Sequence, residues 1–87
     1  MKALQIGTVV KSLAGRDKER HSVVVALENE YVFIADGKMR KLETPKRKNK
    51  KHIWPTGHLI QMDGATNKSI GRILRQFDEA SSAAHNS

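Results

Sequence analysis

The chain is 87 residues long, carries sixteen Lys and Arg against nine Asp and Glu for a net charge of +7, and contains no cysteine. That length supplies one domain near the lower limit at which a core holds unaided, and the absence of thiols excludes disulfides and thiolate metal sites. The N-terminal residues do not read as a signal peptide and no apolar run approaches a membrane span, so the composition predicts a soluble, cytoplasmic protein with no membrane partner.

The charge is unevenly placed. Residues 38–52 hold eight of the basic residues and one acid, Glu43, whereas the rest of the chain has eight of each, so the whole excess falls in one short segment. A block of like charge repels itself and is commonly offset by a polyanionic partner.

In chain order, residues 8–13 (TVVKSL) make a β-favouring run carrying Val9, Val10 and Leu13. The turn 14–18 (AGRDK) follows, with Gly15 accepting positive φ cheaply and charges that prefer water. Residues 21–28 (HSVVVALE) return as a second strand, with Val23, Val25 and Leu27 on one face and Val24 and Ala26 on the other. Apolar on both sides, it suits a strand curled inside a small barrel. A polar turn at Asn29-Glu30 leads to a third strand, 31–35 (YVFIA), and Asp36-Gly37 then predicts a type I′ hairpin.

The fourth strand is expected at 38–43, with Met39 on one face and Lys38 and Arg40 on the other. Leu42 has the wrong parity to join Met39, so either a bulge intervenes or Leu42 lies beyond the strand. Thr44-Pro45 breaks the pattern, 46–51 reads as a basic loop, and 52–54 forms a last short strand ended by Pro55. Five short strands in a meander predict a mainly β fold, a small SH3-like antiparallel barrel over residues 1–60.

Residues 61–80 read as a connector and an amphipathic helix with Thr66 or Asn67 as N-cap. Ile70, Ile73, Leu74 and Phe77 recur at i, i+3, i+4 and i+7, an apolar face that packs either on the barrel or on a partner. Residues 81–87 lack a core-forming pattern and are expected to be a disordered tail.

The hydrophobic strand 8–13, the turn Gly15-Arg16-Asp17-Lys18 and the Val-rich return resemble a KOW motif, an RNA-binding element of ribosomal and transcription-associated proteins. Residues 31–41 (YVFIADGKMRK) and 46–56 (KRKNKKHIWPT) resemble the bacterial KOW-domain RNA-binding proteins, which are similar in turn to KOW-type large-subunit ribosomal proteins of archaea and eukaryotes. The resemblance covers residues 7–56. It departs at Glu19, where many KOW motifs have a second glycine: either the turn is built differently, or Glu19 weakens the local attraction for phosphate. The resemblance implies a KOW-type barrel that binds structured RNA, ribosomal RNA foremost, in association with the ribosome or translation and with ribosomal proteins as further partners.

Charge and resemblance together nominate Lys11, Gly15, Arg16, Lys18 and Arg20 around the turn, and Lys38, Arg40 and Lys41 along the expected fourth strand. Lys46, Arg47, Lys48, Lys50 and Lys51 follow in the expected loop, with His52 and Trp54 beside them. In a meander the Gly15 and Asp36-Gly37 turns share one end while 46–51 leaves from the other. A strand between them spans about 17–20 Å, a basic stripe long enough to follow several phosphates.

Aromatics are few. Phe33 and Phe77 suit the core, and Tyr31 and Trp54 are the candidates for an RNA face, Trp54 being equally suited to closing a barrel. This composition favours recognition by shape and backbone over base reading. His21, His52, His58 and His85 have no metal-ligand spacing, there is no phosphate-cradling glycine loop with lysine, no Gly-x-Ser-x-Gly and no carboxylate pair. Asp17 and Glu19 sit where they neutralise Arg16, Lys18 and Arg20. No metal, cofactor or enzymatic activity is therefore expected. Two rival readings share much of the pattern: an SH3-like protein-interaction adaptor and a DNA-binding nucleoid protein.

Overall fold

The computed structural model describes residues 4–16 and 18–85, the last five as backbone; Asp17 of the turn and residues 86–87 of the expected tail lie outside this description. It is mainly β, an antiparallel sheet of five strands with a C-terminal helix. The strands are β1 (Thr8–Ser12), β2 (His21–Leu27), β3 (Tyr31–Ala35), β4 (Lys46–Asn49) and β5 (Ile53–Leu59) in the order β4-β3-β2-β1-β5, followed by α1 (Asn67–His85). Among the described residues no helix is long and apolar enough to cross a membrane.

The first three strands lie where the valine-rich runs predict them. Val9 pairs with Val23, and Val10 with Ser22, so successive side chains leave the sheet on opposite sides. On one side Val10, Val24, Val32, Ile34 and Ile53 form a buried cluster. On the other, Val9 and Val23 pack against Ile70 and Leu74 of α1, with Val25, Leu42, Ile60, Met62 and Phe77 around them. The two-sided apolar pattern of β2 thus serves two cores, one enclosed by strands and one roofed by the helix. Val25 follows Val23 to the helix side by alternation, and a bulge between Val24 and Ala26 then shifts the register so that Ala26 stands opposite Phe33.

The apolar helix face therefore packs on its own sheet: Ile70 and Leu74 are fully buried and Phe77 is partly covered, with Ile73 half-buried on the flank. Thr66 is the N-cap. Its hydroxyl accepts from Ser69 N–H at 3.1 Å while Ser69 Oγ accepts from Thr66 N–H at 2.9 Å, a reciprocal box built with serine. The helix runs to His85, so the backbone of 81–85 is helical where a disordered tail was expected.

The second half of the sheet departs from the sequence expectation. Residues 38–43 form no strand; β4 is the basic run itself, pairing Phe33 with Arg47 and Val32 with Lys48. The reason lies in the backbone donors of the preceding loop. Asp36 Oδ1 accepts from Lys38 N–H and Arg40 N–H, both at 2.9 Å, and the Asp36 and Gly37 N–H groups both donate to Arg40 O. Leu42 N–H donates to Asn67 Oδ1 at 2.7 Å. With these groups satisfied inside the loop and by the helix, no ladder is needed. The two-residue hairpin at Asp36-Gly37 is likewise replaced by this longer loop. Asp36 is not among the residues with positive φ, as a type I′ turn would require. Nor does Pro55 end the last strand. It sits inside β5 opposite Val10, tolerated because β5 is an edge with one neighbour.

Two glycines set the loop against the helix. Gly37 has φ +81°, and a Cβ there would collide with the carbonyl oxygen of Asn67. Gly71, in mid-helix, faces the same loop with more room: a Cβ would meet Asp36 O at 3.7 Å, an ordinary contact. Gly37→Ala is expected to lower unfolding free energy by ~1–3 kcal/mol through left-handed strain and the collision, whereas Gly71→Ala should leave it unchanged or raise it by up to ~1 kcal/mol. Urea denaturation of both variants checks this; equal losses would refute the close approach at Gly37.

Asn67 also donates from Nδ2 to Glu43 Oε1 at 2.6 Å. That bond foremost, then Glu43's own backbone and the charge of Lys41, hold the Glu43 carboxyl below its ordinary value of 4.5. A carboxyl lowered on folding favours the folded state above its ordinary pKa and loses that contribution as pH falls through the lowered value. The Asn67 side-chain amide signals in an NMR titration should accordingly shift below pH 4.5, and Glu43→Gln should abolish the shift.

Candidate nucleic-acid interface

The connection between β1 and β2 continues their pairing outward. Ser12 N–H donates to Arg20 O at 3.0 Å and Glu19 N–H to Ser12 O at 2.7 Å, while Lys18 N–H closes on Gly15 O at 3.2 Å. Gly15 takes φ +90°, as its place in the turn demands. Glu19 takes φ +69°, the one non-glycine left-handed residue among those described. The position where many KOW motifs have glycine is thus where this backbone needs what glycine supplies. The exposed Arg16, Lys18 and Arg20 project from this turn.

The basic run does not form the single stripe expected of it. Strand alternation divides it: Lys46 and Lys48 lie opposite Ile34 and Val32, on the strand-enclosed side, and Arg47 lies opposite Phe33 on the other. Lys48 is only 8% exposed, and its Nζ donates to Ala14 O at 2.9 Å. This bond runs from the β4 edge to the end of β1, three strands away in the ladder, so the sheet is strongly curled. Lys48 is a structural tie, not a free surface cation. Arg47 lies 3.4 Å from Glu28 Oε1 and 3.9 Å above the centre of the Tyr31 ring, and so covers a ring face that a stacked base would need. Lys50 Nζ donates to Asn29 O at 2.9 Å. Lys50–His52 form a single 3₁₀ turn capped by the Asn49 side chain, and Lys51 and His52 are exposed there. Trp54, 57% exposed, stands opposite Lys11 on the helix side of the sheet.

What the fold brings together is a different set. Arg16 and Arg20 from the first turn, Arg40 from the β3–β4 loop and Lys46 from the start of β4 line an open cleft of about 210 Å³, with Ser22, Ile34, Asp36 and Met39. Its one described acid, Asp36, already accepts two backbone N–H groups through Oδ1. Four cations from three chain segments in one concavity raise the local potential well above that of scattered surface charge. Of the expected residues, Arg16, Arg20, Arg40 and Lys46 converge; Lys11, Lys41, Arg47, Lys48, Lys50, Lys51, His52 and Trp54 do not line this cleft.

A second cationic surface was missed. Lys68, Arg72 and Arg75 on α1 join Lys38 around a groove of about 290 Å³ with no acid in its lining. The signal was present as the spacing i, i+4, i+7 on the helix, but Asp78 and Glu79 nearby offset two of these three charges in a count by segment. In space Asp78 is turned to the sheet, its Oδ1 2.8 Å from His21 Nδ1 and accepting His21 N–H at 3.0 Å, while Glu79 lies 3.9 Å from Arg75 and offsets part of its charge. His21 is buried against Phe77 and acts as a helix-to-sheet fastener, while His58 meets the same ring edge-on at 5.1 Å.

No protein-family model matches the chain, and no curated protein matches it. The KOW resemblance rests on the turn and strand residues themselves.

Glu19→Gly should relieve left-handed strain and raise stability by up to ~1 kcal/mol, glycine's extra unfolded-state entropy offsetting part of the gain; a loss in thermal denaturation would show that the Glu19 backbone is unstrained. Lys48→Ala leaves the part-buried Ala14 carbonyl short of a partner and should cost ~1–3 kcal/mol, with no change in the salt dependence of polyanion binding.

Proposed function

We propose that this is a small RNA-binding protein of KOW type, that its curled sheet is an SH3-like barrel, and that it holds structured RNA by the phosphate backbone. The observation that carries this is the cleft: Arg16, Arg20, Arg40 and Lys46 converge from three segments around Asp36, the one acid among its described lining residues, whose Oδ1 already accepts two backbone N–H groups. The strand order β4-β3-β2-β1-β5 with one 3₁₀ turn before the last strand supports the barrel reading, and positive φ at Glu19 supports the KOW reading of the turn. Backbone recognition fits the aromatics, since Tyr31 lies under Arg47 and Phe77 between two histidines. We read the protein as a binding module and not an enzyme, because Asp36 and Asp78 are spent on backbone N–H groups and on His21. Ribosomal RNA, a place in translation and a cytoplasmic setting follow from the resemblance and belong to the same proposal.

A protein-interaction role is the second reading, favoured by exposed Trp54 and Leu59 on the edge strand β5. Salt separates the two. Four phosphate contacts predict a log–log slope of affinity against salt of about −2.8 on single strands or about −3.6 on a duplex, and an apolar protein contact predicts far less. Replacing Arg16, Arg20, Arg40 and Lys46 together by Gln should flatten the slope by about that amount. An unchanged slope would defeat the assignment, and equal or tighter binding to DNA in direct competition would favour a nucleoid protein.

A further inference from the structure

The cleft and the helix groove are neighbours. A third concavity, of about 280 Å³, joins them and is electrically mixed: Arg20 from the cleft side, Lys38, and Arg75 from the helix side line it together with Asp36, Asp78 and Glu79. The β3–β4 loop is the ridge that separates the two cationic surfaces. Asp36, Met39 and Arg40 face the cleft and Gly37 and Lys38 face the helix groove. On the cleft side of the ridge stands Met39, 78% exposed, an apolar side chain with a cation on either side of it in the chain. The ridge is firmly set, since Asp36 binds its backbone, Asn67 holds Leu42 N–H, and Gly37 abuts the helix.

We infer that the two surfaces form one saddle for a double-helical RNA stem, with the Asp36–Arg40 ridge over the minor groove and the cleft and helix cations on the phosphates of the two flanking strands. This rests on the RNA-binding reading above and specifies its substrate class. Three features point to a duplex. The cations stand on both sides of a ridge and not along one line, as two backbones flanking a groove require. The minor groove of A-form RNA is wide and shallow, so a short fixed loop reaches it, whereas its major groove is deep and narrow. No aromatic lines either cationic surface, which removes the stacking platform that single strands use. On α1, Lys68 to Arg75 covers ~10 Å at the helical rise, a row of cations long enough to meet more than one phosphate of a strand.

The test uses the full chain, an RNA hairpin, an unpaired uridine oligomer and a DNA duplex of the hairpin's sequence. Lys68→Gln, Arg72→Gln and Arg75→Gln are combined at exposed positions where the fold is not at stake. The wild type should prefer the hairpin to both other probes. Loss of three phosphate contacts should make its hairpin salt slope shallower by about 2.7 while binding to the unpaired oligomer through the cleft persists. Met39→Glu should weaken hairpin binding with thermal stability unchanged. Unchanged hairpin affinity and slope in the helix variant, or a wild-type preference for the unpaired oligomer, overturns the saddle and leaves the cleft reading standing, whereas a preference for DNA overturns the saddle and the RNA reading together. A hairpin slope insensitive to the cleft substitutions, or no RNA binding at low salt, removes the cleft reading and the saddle with it.

Discussion

The constraint on which this structure depends is the burial of β1 and β2 from both sides. Val9 and Val23 face the helix while Val10 and Val24 face the strand-enclosed cluster, and all four are fully buried. A chain this short cannot stabilise a sheet on one core alone, and a second layer doubles the apolar area that the central strands remove from water. The helix is therefore part of the fold and not an appendage. Its docking in turn positions the β3–β4 loop, because Asn67, Gly71 and Gly37 meet at the helix start.

That chain of consequence sets the electrostatics. Once Leu42 is drawn toward the helix core and the loop backbone is satisfied by Asp36 and Asn67, residues 38–43 cannot join the sheet. The ladder position beside β3 falls to the basic run, and period-two alternation then distributes its charges to both faces. Lys48 turns inward as a tie to Ala14, Arg47 settles on Tyr31, and Lys46 remains to complete the cleft. The effective positive potential arises from residues far apart in sequence, and charge density along the chain is a poor guide to it.

Much of the fold was legible. The runs at β1, β2 and β3 and the amphipathic helix each announce themselves by periodicity, and the two-sided apolar pattern of β2 marked it as interior. The Gly15 turn and the unusual demand on Glu19 could be seen as a departure from a familiar pattern, though its conformation could not. The fourth strand was misread because Lys46 to Asn49 carries no apolar signal: its place depends on a partner strand, and lysine is a poor strand former by local preference. The helix cations escaped notice because a sum over segments cannot register that Asp78 is turned to His21, leaving Glu79 beside Arg75 as the acid set against them.

The amino-acid sequence by itself determined a one-domain, cysteine-free, strongly basic chain with three valine-rich strands, a charged glycine turn and a C-terminal amphipathic helix. These follow from composition and short-range periodicity, which act over a few residues and need no knowledge of what lies opposite. Tertiary structure alone decided which strand flanks β3, which lysine is buried, and which cations face one another across the Asp36–Arg40 ridge. Those outcomes depend on long-range pairing and on hydrogen bonds that Asn67 and Asp78 accept from distant backbone and side-chain groups, interactions for which neighbouring residues carry no record.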